Sequence, residues 1–345
     1  MRNRIKWLDV AKGIGIISVF LGHTIFSDEM WRIWIYSFHM PLFFFLSGIT
    51  YNETKYDKIK NLLVAKSKSI LIPYIILCTI ELIDSLLLLF YKTICGENNT
   101  YFVLIKKITG IFVGLRGTEW YCACWFLLCI FVVYVFMYVI INSARRIKFA
   151  VFCLSALLAI GGIVYARVKL PYLPWAIDIA LVAVFFTTLG WETKTLFVNR
   201  IDSKLMWLFA AGSIGFSLLN YYCSGVSIDM YSNRYGYSVL FILSAVFGIS
   251  FIIAVSQRIN GRLGGGGILE HIGKNSLYYY GVNVLTLKIV GIFTFGLLND
   301  IGSEGVVLGK CFVKVCLAIG VSRIFLPGFN MARNFLLDII KMEKK

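Results

Sequence analysis

Lys12 and His23 stand eleven residues apart in LDVAKGIGIISVFLGH, an apolar stretch near the start of the chain. On a helix, eleven residues make three turns plus roughly 20°, so both side chains lie on one face, about 16 Å apart along the axis. Asp9 comes three residues before Lys12, within ion-pairing reach on a helix. His39 begins the next apolar stretch, in FHMPLFFFLSG, and the short connection between the two stretches predicts that His39 lies near the depth of His23. A histidine titrates near neutral pH, so it serves as a general base or carries an acyl group. A cation further along the same face can hold phosphate oxygens. Ionisable groups inside an apolar span are rare and mark functional sites by default. Each also has a structural reading. His23 can bridge helices, Lys12 can snorkel to an interface, Asp9 can neutralise Lys12, and His39 can cap its helix. The third histidine, His271 in LEHIGKNS, reads as an exposed loop residue outside the chemistry.

One reaction fits this spacing. A coenzyme A thioester has an anionic nucleotide end, a long thin arm and a reactive acyl group. Lys12, with Lys66 and Lys68 in KSKSILIPY, would hold the phosphates. The arm would bring the thioester to His23, which would deprotonate an acceptor hydroxyl or take the acyl group itself. Trp125 or Tyr121 would stabilise the oxyanion. Two other classes use the same polar helix. One is transport or flipping of a small polar solute, detectable as counterflow in vesicles. The other is an assembly subunit of a polysaccharide-synthesis complex, which predicts no phenotype for His23→Ala.

The elements that must position these residues are membrane helices. The 345 residues are 59% hydrophobic and 15% charged, with a mean hydropathy of +0.79; soluble domains carry nearer a quarter charged residues. Apolar runs long enough for a hydrocarbon core of about 30 Å recur from end to end. They are continuous rather than alternating, which excludes a barrel. Ten spans are expected: 7–26, 33–51, 70–91, 123–142, 149–167, 175–192, 204–223, 235–256, 276–298 and 305–326. Residues 100–118 are too short a run to span and read as an interfacial or re-entrant helix. The expected fold class is therefore all-α and polytopic, with a membrane domain over 1–330 and a short amphipathic tail over 331–345. The basic N-terminus is read as a retained helix, not a cleaved signal.

Lys and Arg concentrate in alternate connections, more than twice as many on the N-terminal side as on the other. By the positive-inside rule both termini are cytoplasmic. The same count accounts for the net charge of +16 without nucleic acid. Most of the nine cysteines lie in apolar runs and read as small apolar residues, and no metal site is expected. Cys122 and Cys124 flank a segment start without nearby histidines. Gly264 to Gly267 read as a hinge. Asp178, Lys288, Lys310 and Lys314 read as cavity liners in later spans.

The motifs LDVAKGIGIISVFLGH, FHMPLFFFLSG, the basic stretch before LIPY, WFL at 125–127, DIALVAVFFTTLGW, NYYCSGVSIDMYSNRYG and IGKNSLYYY follow one another over nearly the whole chain. In them the chain resembles acyltransferase family 3, the integral membrane O-acyltransferases. It looks closest to the branch of fucose 4-O-acetylase-like and exopolysaccharide acetyltransferases. The resemblance implies acetyl-CoA as donor, a glycan hydroxyl as acceptor and a plasma-membrane location. It places the family's essential histidine on His23, and Asn275 and Ser276 of IGKNSLYYY on the donor side. The family's usual arginine falls on Lys12, which keeps the charge and loses the bidentate fork. Where relatives often carry a second histidine after this motif, the chain has Asn283.

Overall fold

The computed structural model describes residues 5–24, 29–94, 100–117, 124–147, 149–197, 200–263, 267–294 and 304–342. Thirteen α-helices follow in chain order among them: α1 (Lys6–Gly22), α2 (Met30–Thr50), α3 (Ile59–Lys66), α4 (Ile72–Ile94), α5 (Thr100–Val113), α6 (Trp125–Ala144), α7 (Ala150–Arg167), α8 (Ile177–Glu192), α9 (Ser203–Ser224), α10 (Ser238–Leu263), α11 (Gly267–Lys274), α12 (Ser276–Phe293) and α13 (Glu304–Met342). Extended pairing among the described residues is limited to one isolated bridge, Asp229 with Arg234. The chain is an all-α polytopic membrane protein.

Eight helical stretches are long and apolar enough to cross a bilayer. They fall on eight of the ten expected spans. The remaining two are present as α1 and α9. α1 stops at Gly22 instead of reaching residue 26, and its 17 residues cover about 25 Å. α9 has 22 residues but carries polar groups through its length. Ser213, Ser217 and Asn220 are fully buried in it, and the Asn220 amide donates to the Tyr235 carbonyl. Residues 100–113 form the short helix α5, in keeping with a run too short to span.

Two stretches differ from expectation, and the tail has a defined form. The basic stretch before LIPY is helical: α3 passes through a five-residue π-helical turn, Ser67–Leu71, into α4. Leu62 and Ile70 bury against the core there, which places the lysines on a helix rather than a free loop. His271 is half-buried on α11, not exposed in a loop. That helix forms because Ile272 is buried and Glu270 pairs with Lys274 one turn on, at 2.5 Å. Finally, residues 331–342 continue α13, and Leu336, Leu337 and Ile340 pack against the core.

α2 is the most buried span and stands at the centre, against α1, α8, α9 and α10. Two glycine crossings allow backbone-to-backbone packing. A Cβ on Gly48 would lie 1.9 Å from the Thr187 carbonyl oxygen, and one on Gly190 would lie 2.1 Å from that of Phe45, so α2 and α8 touch directly. Gly13 and Gly273 do the same for α1 and α11, where a Cβ would meet the Leu269 and Asp9 carbonyl oxygens at 2.1 and 1.7 Å.

Candidate active site

α1 ends at His23, which is exposed and caps the helix; its backbone N–H reaches the Val19 and Phe20 carbonyls, each at 3.2 Å. α2 holds this end in place. Arg32 Nε donates to the Gly22 carbonyl at 3.2 Å, and its guanidinium lies 4.0 Å from the centre of the Tyr36 ring. A Cβ on Gly22 would lie 2.7 Å from that ring, so glycine lets Tyr36 close on the helix end. One turn further, His39 is buried, with its ring edge-on to Tyr36 at 4.8 Å. His39 Nδ1 lies 2.8 Å from the Ile35 carbonyl. A carbonyl only accepts, so Nδ1 carries the hydrogen, and in the neutral ring Nε2 keeps its lone pair.

His23 and His39 line one cavity of about 320 Å³. The short α1–α2 connection thus does bring them together. Of the remaining wall, only Trp125 is an expected site residue. Trp125 enters from the first turn of α6, Tyr280 and Asn283 from α12, and Asp229 and Tyr231 from the connection between α9 and α10. That connection is a tight turn. Asp229 and Arg234 exchange backbone hydrogen bonds at 2.8 and 2.9 Å, and the Asp229 carboxylate accepts from Tyr231 N and Ser232 Oγ. Asn283, where the resemblance leads one to expect a histidine, donates its amide to the Tyr280 carbonyl. The cavity therefore offers a basic imidazole nitrogen, a carboxylate and four aromatic faces, a set suited to a hydroxyl-bearing ring.

Lys12 is half-buried and lines a second cavity, of about 140 Å³, with Ser47 of α2, Ile70 of the π-helical turn, Tyr134 of α6 and Ser276 of α12. Lys66 joins it indirectly: its Nζ stands 3.2 Å from the centre of the Tyr134 ring. Tyr280 belongs to the walls of both cavities. Its ring leans at 5.3 Å on Phe126, which lines the Lys12 cavity.

Other expected site residues stand elsewhere. Asp9 is buried in the first turn of α1 and is outside both described walls. Lys68 is half-buried on the π-helical turn, also outside them. Asn275 makes a joint between α11 and α12, its amide donating to the His271 carbonyl at 2.9 Å. Trp125, by contrast, faces the His23 cavity. Tyr121 and Cys122 lie outside the described residues. Asp178 lines neither of the two cavities described. It is fully buried in an ion pair with Arg116, which also donates to the Tyr231 carbonyl. Lys288 pairs with Asp84 of α4 at 2.8 Å. Among the described residues no three His, Cys, Asp or Glu side chains cluster as metal ligands. A family model described as an acyltransferase domain matches residues 5–323, whereas no curated protein and no solved structure matches the chain.

Proposed function

The chain belongs to the acyltransferase domain family, and on that premise we propose that it moves an acetyl group from acetyl-CoA to a hydroxyl of a cell-surface or lipid-linked glycan. That it is a multi-pass membrane acyltransferase, acting on groups other than aminoacyl groups, follows from the family and the fold. The observation that carries the finer reading is the pair of cavities on α1, one with Lys12 and one with His23, sharing Tyr280 as a wall.

In this reading the donor's phosphates lie against Lys12, with Lys66 and Lys68 on the approach and Ser276 beside them. The arm passes Tyr280. The acceptor hydroxyl sits in the His23 cavity, where an imidazole nitrogen takes its proton as the oxygen attacks the thioester carbonyl. The tetrahedral oxyanion collapses, the carbon–sulfur bond breaks, and the imidazolium returns the proton to the departing thiolate. The products are an ester and free coenzyme A. His23 acts as this base or first carries the acetyl group itself. His39, with Nε2 unprotonated, is the second base candidate. The excess of cations on the N-terminal side supports cytoplasmic termini and the Lys12 cavity facing cytoplasmic acetyl-CoA, in a bacterial plasma membrane. In this reading the chain falls in the fucose 4-O-acetylase-like and exopolysaccharide branch, on the likeness of its motifs.

The test is mass spectrometry of surface glycans from cells with and without the protein, paired with acetyl-CoA turnover by the purified chain. Acetyl esters that vanish with the protein, and with His23→Ala in a folded protein, are the expected result. Unchanged acetylation, or solute counterflow without turnover, would overturn it in favour of transport.

A further inference from the structure

Arg116 and Asp178 lie outside the reacting cavity, yet they are among the most deeply buried charges described, at 1% exposure each. Three separate parts of the chain meet at them. Arg116 follows α5, and Asp178 opens α8. The third part is the Asp229–Arg234 turn, reached twice: Arg116 donates to the Tyr231 carbonyl, and the Asn233 amide donates to the same Asp178 oxygen that Arg116 pairs with. The Arg116 guanidinium also lies 4.6 Å from the centre of the Tyr172 ring. The turn's own hydrogen bonds fix its shape but not its place in the bundle. Its end is tied to α9 through Asn220. Its tip, which carries Tyr231 to within 6.0 Å of Trp125, is tied down through the ion pair.

A buried ion pair is a poor source of net stability, because desolvation offsets the attraction and an apolar pair often does as well. What it supplies is geometry. We infer that Arg116 and Asp178 are positioning residues, which hold the Asp229–Tyr231 wall against the His23 cavity and thereby set acceptor binding. The inference rests on the acetyl-transfer reading above. Under it, the Asp229 carboxylate receives hydrogen bonds from acceptor hydroxyls, and the sugar ring lies on Tyr231 and Trp125. The Lys12 cavity takes nothing from this turn, so donor binding is independent of it.

The test uses the purified full chain with Arg116→Met and, as a milder change, Asn233→Ala. Two readouts are taken: amide hydrogen exchange over 226–237, and initial rates with acetyl-CoA and a panel of methyl glycosides. Arg116→Met should speed exchange in the turn and raise the glycoside KM, each by at least about tenfold, with the acetyl-CoA KM within about twofold. Asn233→Ala should move both in the same direction by less, and it decides the question if Arg116→Met does not fold. Unaltered exchange in folded variants overturns the inference, as does a parallel rise of both KM values. If the unsubstituted protein acetylates no glycoside, the transfer reading fails, and the exchange measurement still decides whether the pair holds the turn.

Discussion

The two ends of α1 differ in how their cavities are built. Both draw on α1, α2, α6 and α12. The Lys12 cavity is completed by a helical element, the π-helical turn before α4, and holds about 140 Å³. The His23 cavity is completed by a connection, the 229–231 turn, and holds about 320 Å³. The narrow end is thus made of spans alone, and the wide end carries a wall that can change without moving a span. A constant donor and a variable acceptor would call for this division, since connections tolerate substitution better than packed helices.

Replacing His23 by Ala cuts deepest into that contrast. Transfer should fall by about 10²–10⁴-fold, while acetyl-CoA affinity, measured by calorimetry, stays within about twofold. A matching loss of acetyl-CoA affinity would mean that the ends are not separate. Lys12→Ala should do the converse, weakening acetyl-CoA binding by about tenfold or more, as expected for loss of one charge-assisted contact. Lys12→Arg should tighten it through the bidentate fork; weaker binding for Arg than for Lys would place the phosphates elsewhere. Tyr280→Ala removes the shared wall and should raise acetyl-CoA hydrolysis relative to transfer. An unchanged ratio would deny Tyr280 a partitioning role.

The smallest effect belongs to the Lys12 end, just past α2. There the Trp191 indole donates to Glu53 at 3.0 Å and, with Lys194 nearby, holds the Glu53 carboxyl below the usual carboxylate range. A depressed folded value means the contribution is present above the unfolded carboxylate value, near pH 4.3, and is lost as pH falls through the folded value. Because Glu53 is partly exposed, thermal melts should register well under about 1 kcal/mol. Glu53→Gln should flatten that acid dependence, and an unchanged pH profile would remove Glu53 from it.

What was legible in the sequence follows from range. Apolar runs are local, so the spans could be located, while some ends could not: α13 runs on to Met342, past the expected 326, and helix begins at Ile59, ahead of the expected 70. The His23–His39 pairing could also be read, because the two residues flank one short connection. The reach of Lys12 to Ser276 was legible only through motif resemblance, and its reach to Tyr134 was not legible. Asp229 and Tyr231 were not legible as site residues, since a polar turn between two spans looks like any connection. Arg116 and Asp178 are 62 positions apart with no periodic relation, so Asp178 reads as a cavity liner and Arg116 as one cation among those of the connections. Lys68 and Asn275 suit anion binding by residue type, yet both stand outside the wall of the Lys12 cavity, and the Asn275 amide joins α11 to α12.

The Gly13–Gly273 crossing has a mechanical consequence. With its backbone seated against α11 at the Lys12 end and capped by Arg32 and Tyr36 at the other, α1 is neither free to slide nor free to lengthen. The rise of a helix, about 1.5 Å per residue, then turns the eleven residues from Lys12 to His23 into a gauge. Under the acetyl-transfer reading, donors whose arm is cut short would dock at one end and fall short of the other, a selection of the thioester by length as well as by charge.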